Sequence, residues 1–290
     1  MEKIKNINRI LVISFEAGSA EIISEFILQK KEKLKVKYSF VLNKTTKNIF
    51  KKKGFKIQTT NKQIKFDNIK KILFGASFFN QEINFIKKKK LTKIQNICLL
   101  DHWVNFEKRF LNNKKIFSPN KIYVFDKYAL NRLKKISFKN TIIQMIKNPL
   151  TKNIKRIKNK KRKNIVIFLN NIEYQNRKMT DTKFISNKSL IENSIDYINK
   201  KKLLFNQIYI KLHPANDRRL YENYIKNFKN LEIIKKKNIR NIFQHTKLAI
   251  SNESMTLFIS KKYGIDNLNI TKNKDPIIPR EYCKHINYIK

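Results

Sequence analysis

Apolar residues recur along this chain in two rhythms. Short continuous apolar runs suit strands buried on both faces, and stretches with apolar residues every three or four positions suit amphipathic helices. The run at 10–15, ILVISF, reads as the first strand. Gly18 and Ser19 then open a helix over 20–33, with Ile22, Ile23, Phe26 and Ile27 on one face. A strand at 37–42 follows, then a helix at 45–53 closed by Gly54, a residue that accepts the positive φ of a helix end. Further strands are expected at 72–74 (before Gly75), 94–100 and 121–125, with helices at 81–90 and 128–135.

The alternation restarts after 152–163, KNIKRIKNKKRK, which holds eight basic residues in twelve and few apolar ones. Strands are expected at 165–169, 207–212, 231–234 and 248–251. Helices are expected at 189–201, 218–228 and 239–245, and from Ser254 or Met255 to Tyr263, closed by Gly264. Strand–helix alternation implies parallel sheets with helical crossovers. The expected organisation is an N-terminal domain at 1–151, a basic linker at 152–163 and a C-terminal domain at 164–290. A nucleic-acid-binding arm is the other reading of the basic stretch.

Length and composition sharpen this picture. A chain of 290 residues, 41% apolar and with 21 Phe, has enough material for two cores. No apolar run reaches the length of a membrane span, and the run at 10–15 is too short for a signal-peptide core. Cys98 and Cys283 lie far apart without metal-ligand spacing, which favours a reducing compartment over a disulfide framework. A soluble, cytoplasmic protein is the expectation. The formal charge is +45, from 66 Lys+Arg against 21 Asp+Glu. Such a charge suits nucleic acid, or an anionic membrane surface or lipid-linked acceptor. Lys, Asn, Ile and Phe are also the residues an A/T-rich genome favours, while Gly (4) and Pro (5) are scarce. The lysines are spread over nearly every segment, so codon bias explains most of the charge and nucleic acid is the weakest reading.

In open α/β sheets, ligands bind beyond the carboxyl ends of the strands. Glu16, Gly18 and Ser19 follow the first strand, where a backbone without a Cβ and a helix N-terminus would admit an anion. The alternative is an ordinary turn with Ser19 as helix cap. Asp101, His102 and Trp103 follow the strand ending in Leu100. Asp101 and His102 have the chemistry of a general base, and Trp103 that of a sugar-stacking ring. The alternative is that Asp101 caps a helix and Trp103 is core. Lys211, His213 and Pro214 follow another strand, and a rigid turn that aims an imidazole suits a phosphate. Ser251, Asn252, Glu253 and Ser254 lie between a short strand and a helix, where hydroxyls and unpaired N–H groups form an anion site. Simple capping by Ser254 is the alternative.

The pair of motifs, K-x-H-P at 211–214 and S-x-x-S at 251–254, resembles bacterial sialyltransferases and related capsule enzymes. CDP-glycerol-type transferases are similar in both motifs. The resemblance covers roughly 163–264. It implies the GT-B fold, two Rossmann-like α/β domains facing a cleft, the N-terminal one on the acceptor side and the C-terminal one binding a nucleotide sugar. It further implies an inverting glycosyltransferase with a CMP-sialic-acid-like donor and a glycan or lipid-linked acceptor in surface polysaccharide synthesis. His213 would assist departure of the nucleotide phosphate, Ser251 and Ser254 would bind that phosphate with Lys211 and Glu253 nearby, and Pro214 would fix the loop. The acidic pair before a glycine that the sialyltransferases use as base is absent. Glu16-Ala17-Gly18 is a loose echo, and Asp101 takes the role on position and chemistry. No cofactor is implied, and no D-x-D triplet or other metal motif is present. Two other functions fit the residues: transfer of a polyol phosphate on the same fold, and non-catalytic nucleic-acid binding.

Overall fold

The computed structural model describes residues 9–30, 36–57, 64, 66, 68–101, 103, 105–152, 154–157, 162–171, 184–213, 216–234, 239–274 and 276–287. The chain forms two compact units, Met1–Asn153 and Ile154–Lys290.

The N-terminal unit runs β1 (Arg9–Ser14), α1 (Ala17–Lys30), β2 (Lys37–Leu42), α2 (Lys44–Lys52), β3 (Ile69–Gly75), α3 (Gln81–Lys88), β4 (Gln95–Leu99), β5 (Leu111–Asn112), β6 (Lys115–Ile116), β7 (Lys121–Val124), α4 (Lys127–Leu133) and β8 (Ile142–Met145). Six strands form one sheet in the order β2-β1-β3-β4-β7-β8, every pairing parallel. Central β1 carries the continuous apolar run because both of its faces are covered: Leu11, Val12 and Ile13 are fully buried. Val12 joins Ile22, Ile23 and Ile27 of α1 and Phe40 and Phe50 in one core cluster. Helix α2 starts where the Asn43 side chain accepts the Thr46 N–H and the Thr46 hydroxyl accepts the Asn43 N–H, a reciprocal cap. The β5–β6 hairpin turns through Asn113 and Lys114, both at positive φ, as a two-residue turn matched to strand twist requires.

The C-terminal unit runs β9 (Asn164–Phe168), α5 (Asn187–Lys200), β10 (Ile208–Lys211), α6 (Arg218–Ile225), β11 (Leu231–Ile233), α7 (Ile239–His245), β12 (Thr246–Ser251), α8 (Met255–Lys262), β13 (Asp266–Thr271) and β14 (Lys284–Asn287). Its sheet order is β11-β10-β9-β12-β13-β14, again all parallel. Ile165, Ile167 and Leu169 turn to the face where Leu190, Ile191 and Ile198 of α5 pack.

Several differences from the sequence expectation have physical reasons. Helix α1 begins at Ala17, so Gly18 and Ser19 lie inside its first turn. Strands β8, β13 and β14 carry no strong apolar signal. Strand β8 exposes most of its residues, and β13 (DNLNIT) buries Asn267, Asn269 and Thr271 by hydrogen bonding. Part of the basic stretch is fastened to the C-terminal unit. The Ile157 N–H donates to the Tyr263 carbonyl (3.0 Å), and Arg162 donates to the Gly264 carbonyl (2.7 Å) and to that of Ile157. The Arg162 guanidinium thus lies at the carboxyl end of α8, where the helix dipole favours a cation. Both cysteines are free and buried. Burial and the Asp101 and Glu82 charges push the Cys98 thiol well up; burial and Glu253 push Cys283 up to about 12. Neither thiol is poised to react. No helix among the described residues is long and apolar enough to cross a membrane.

Candidate functional site

The strand order places the switch point of the C-terminal sheet between β9 and β12. From β9 the chain steps outward to β10 and β11, then crosses to β12 on the other side. A crevice opens beyond the carboxyl ends of two such strands. Ser251, Phe168 and Lys211 are level with one another in the register of β12, β9 and β10, so both motifs end at one sheet edge.

The turn after β12 is built almost entirely from buried polar groups. Ser251 is 0% exposed and its hydroxyl donates to the Phe168 carbonyl (2.7 Å). The Asn252 amide donates to the Ile270 carbonyl (2.6 Å), and its own carbonyl accepts from Asn170. Glu253 sits at φ +49°, a left-handed conformation that a side chain tolerates only when its surroundings hold it. Here its N–H donates to Asn269 Oδ1 (2.7 Å), and its carboxylate accepts from the Thr271 hydroxyl (2.6 Å) and from the Ile277 and Ile278 N–H groups (2.9 and 3.2 Å). The Asn269 amide is oriented by this bond, and its Nδ2 meets His285 Nδ1 at 3.0 Å. The polar face of β13 is thus a platform for the turn. After it the chain reaches the surface. Ser254, Met255 and Thr256 are half-buried, and the Ser254 hydroxyl caps α8 by accepting the Thr256 N–H (3.3 Å). No acidic residue occupies the first turn of α8, so its positive end is not offset from within.

These contacts sort the sequence-derived residues. The Ser251 hydroxyl is taken by the backbone of β9, and the Glu253 carboxylate by the 271–278 segment. In this conformation neither is offered to a ligand, because a buried polar group must be satisfied inside. Ser254 and the start of α8 do face solvent. On β10, Lys211 is half-buried and its Nζ lies 3.1 Å from the Leu212 carbonyl, while the His213 side chain is exposed. Partial desolvation lowers the pKa of both, and the Lys211 charge lowers that of His213 further, which favours the neutral imidazole. Pro214 lies outside the described residues. Asn170, Asn187, Tyr221 and Asn216 form a second hydrogen-bonded chain that fixes the end of β9 and the segment after His213. Only folding shows these asparagines to be structural.

The N-terminal unit has its switch point between β1 and β3, and a buried acidic cluster lies there. Glu82 Oε1 accepts the Phe15 N–H (2.9 Å) beyond β1, and Oε2 accepts the Ser77 N–H (3.1 Å) beyond β3. One carboxylate therefore clamps both loops, and burial raises its pKa to about 7. Glu16 pairs with Arg109 (3.7 Å), whose guanidinium donates to the Ala76 carbonyl (2.6 Å). Ser19 is buried and bonded to Ser14 (2.7 Å) and to the Glu16 carbonyl (2.9 Å). It is a packing residue of α1 and does not line an open surface. Asp101 is 5% exposed, and a Cβ on Gly18 would meet its Oδ2 at 2.2 Å. Its carboxylate therefore lies directly on the first turn of α1, not at the start of a helix of its own. Only glycine leaves room for it there, and the N-terminal dipole of α1 favours its charge. Trp103 is 7% exposed and donates its indole N–H to Asp126 (2.5 Å), which caps α4. The ring is core and is not available to stack on a sugar. His102 lies outside the described residues. Glu82 and Arg109, which organise the cluster, sit inside helix- and turn-forming segments and carry no motif of their own.

Two cavities in the C-terminal unit lie elsewhere. One of 310 Å³ opens at the amino ends of β9, β12 and β13 beside Leu204 and Lys247, and one of 400 Å³ lies against α7 beside Tyr209 and Glu232. Neither is lined by Lys211, His213 or the 251–256 turn, and the second reaches the carboxyl end of β11 only, at Ile233 and Ile234.

No protein-family model matches the chain, and no curated protein matches it in sequence. Solved structures do. The Staphylococcus aureus MnaA–UDP co-structure superposes with a TM-score of 0.62 at 10% identity, covering 91% of this chain and 79% of the other. UDP-GlcNAc 2-epimerase from Neisseria meningitidis, bound to UDP-GlcNAc, gives 0.56 at 10% identity, covering 90% and 82%. The glycotransferase of kitacinnamycin gives 0.54 at 9% identity, covering 97% and 86%. At such identities the likeness is one of fold. The chain has the two-unit α/β architecture of the GT-B fold, with a six-stranded parallel sheet in each unit.

Proposed function

We propose that this protein is a glycosyltransferase using a nucleotide sugar, in surface polysaccharide or glycan synthesis. The observation that carries the reading is the half-buried N-terminus of α8, without an acidic residue in its first turn, at the switch point of the C-terminal sheet and at the same sheet edge as Lys211. A helix start of this kind suits a phosphate, and flanking cationic or neutral donors suit a nucleotide leaving group. Support comes from the fold neighbours, whose names include UDP, UDP-GlcNAc and a glycotransferase.

On this reading Ser254 and the first N–H groups of α8 bind a donor phosphate. His213 donates a hydrogen bond to it and helps it depart, Lys211 supports it by charge, and Pro214 fixes the loop. Ser251 and Glu253 hold the turn. Asp101 takes the acceptor proton as the acceptor hydroxyl attacks the anomeric carbon, an inverting reaction without a metal. The acceptor is a glycan or lipid-linked sugar, and the protein works in the cytoplasm at the membrane. The sialic-acid donor rests on the K-x-H-P and S-x-x-S resemblance alone. The uridine compounds carried by the neighbours make UDP-sugars equal candidates. Transfer of a polyol phosphate from a CDP-linked donor uses the same phosphate site.

Thermal unfolding with CMP, CDP, UDP and GDP compounds tests the reading. A bound nucleotide at a hundred times its Kd stabilises by roughly 2.7 kcal/mol, an easily read shift. No shift with any nucleotide or nucleotide sugar sinks the proposal. Stabilisation by CDP-glycerol but by no nucleotide sugar moves it to polyol-phosphate transfer.

A further inference from the structure

We infer that the loop after β3, helix α3 and the β5–β6 hairpin form a docking surface for an anionic lipid bilayer. Phe79 is 54% and Leu111 38% exposed, at the tip of the N-terminal unit's β3–α3 loop and at the base of the hairpin. The hairpin and α3 are one body. Asn80 Nδ2 donates to the Leu111 carbonyl (2.5 Å), Lys87 Nζ donates to Asn112 Oδ1 (2.7 Å), and Asn112 donates to Asn84. Phe79 is packed edge-to-face on Phe78 at 5.3 Å, so the loop presents a rigid apolar wedge.

Cations are dense in the same segments. Lys87 and Lys88 end α3, Lys89 and Lys90 follow it, and Lys108, Lys114 and Lys115 lie before and within the hairpin, all exposed. Against these seven ammonium groups the described residues of the same segments expose one carboxylate, Glu107. An apolar wedge on a lysine-rich body is the chemistry of interfacial binding: the wedge enters the headgroup region and the lysines meet lipid phosphates. A second copy of the chain would meet its own positive charge here. A nucleic acid would satisfy the lysines but not Leu111.

The surface also has a structural link to the acidic cluster. The Phe78 N–H donates to Glu16 Oε1 (3.4 Å), and Glu16 pairs with Arg109. Docking through Phe79 would therefore bring that cluster to the headgroup level. This last step rests on the proposed acceptor-side role of the cluster; the docking surface itself rests only on exposure and charge.

Flotation of the full chain with vesicles decides it. Vesicles of phosphatidylcholine with a third phosphatidylglycerol should bind at least tenfold more protein than phosphatidylcholine alone, and high salt should weaken the binding. Phe79→Ser with Leu111→Ser should lower partitioning roughly tenfold or more, since two apolar side chains no longer leave water. Lys114→Gln and Lys115→Gln should each lower it about fivefold. All four positions are exposed, so melting and any nucleotide shift should stay as in the wild type. Equal binding to both vesicle types, or unchanged partitioning of both sets of variants, overturns the inference. So does a single-stranded oligonucleotide that binds through these same residues while vesicles are ignored. Vesicle binding without any nucleotide shift keeps this surface and removes only the transferase reading.

Discussion

At the scale of single residues, burial decides which acidic group does what. Glu82 is fully buried with its two oxygens on two backbone N–H groups, yet desolvation outweighs those bonds and raises its pKa from 4.5 to about 7. A carboxyl with a raised folded-state pKa contributes most below its unfolded value and loses that contribution as pH climbs through the folded one. The loss expected between about pH 4.5 and 7 is on the order of 3 kcal/mol. Glu82→Gln cannot titrate, so thermal melts from pH 5 to 8 should fall with pH in the wild type relative to the variant. Parallel profiles would show that Glu82 stays ionised. Asp101 is set differently, on a glycine backbone at a helix N-terminus. Asp101→Asn keeps the shape and removes the base of the proposed reaction, so turnover should drop roughly 10²–10⁴-fold while nucleotide affinity holds. Full activity in that variant would move the base to Glu16.

At the scale of elements, α8 carries two duties that separate variants can pull apart. Ser254 caps the helix, and on the proposed reading its surroundings also bind phosphate. Ser254→Ala should cost about 1 kcal/mol of stability. It should also weaken nucleotide binding roughly tenfold, the worth of one hydrogen bond to a charged group. Ser254→Asp restores the cap but places a negative charge against the phosphate. Melting should recover while calorimetry shows weaker binding still. Tight binding by Ser254→Asp would rule out a phosphate at this helix end. Strand β10 adds a pH dependence. The pKa of His213 is lowered by desolvation and by Lys211, and a bound phosphate would raise it. Affinity should therefore increase as pH falls through the free value, below 6.5, and His213→Ala should abolish that dependence.

At the scale of the whole molecule, each unit carries a sheet with its own switch point and its own cluster of side chains. The proposed phosphate site lies wholly in the C-terminal unit. Hydrogen exchange with the nucleotide found by thermal shift should therefore slow amides at 211–213 and 252–257, leaving 69–75 of the N-terminal unit unprotected. Protection confined to the N-terminal unit would transfer the site there.

How much of this the chain declares in advance follows from which signals are local. Continuous apolar runs such as 10–15 and 165–169, and helices with four apolar residues on one face, are legible because burial on both faces or on one stripe is a property of neighbouring residues. The position of the turn at 251–254 was legible for the same reason: a hydroxyl-rich segment between a strand and a helix is a local pattern. What the turn does with its hydroxyl and carboxylate was not. Ser251 is spent on Phe168, 83 residues earlier, and Glu253 on a segment that follows β13. Strand β13 hides from periodicity because its inward Asn267, Asn269 and Thr271 are polar, and only their distant partners make that burial affordable. Gly18 promised an open approach for a ligand, and tertiary packing filled the space with Asp101. Sequence alone determines where the apolar strands and amphipathic helices of this protein lie, because that pattern depends on near neighbours. Which polar side chains remain available to a ligand is decided by hydrogen bonds across tens of residues, and these exist only once the sheets have formed.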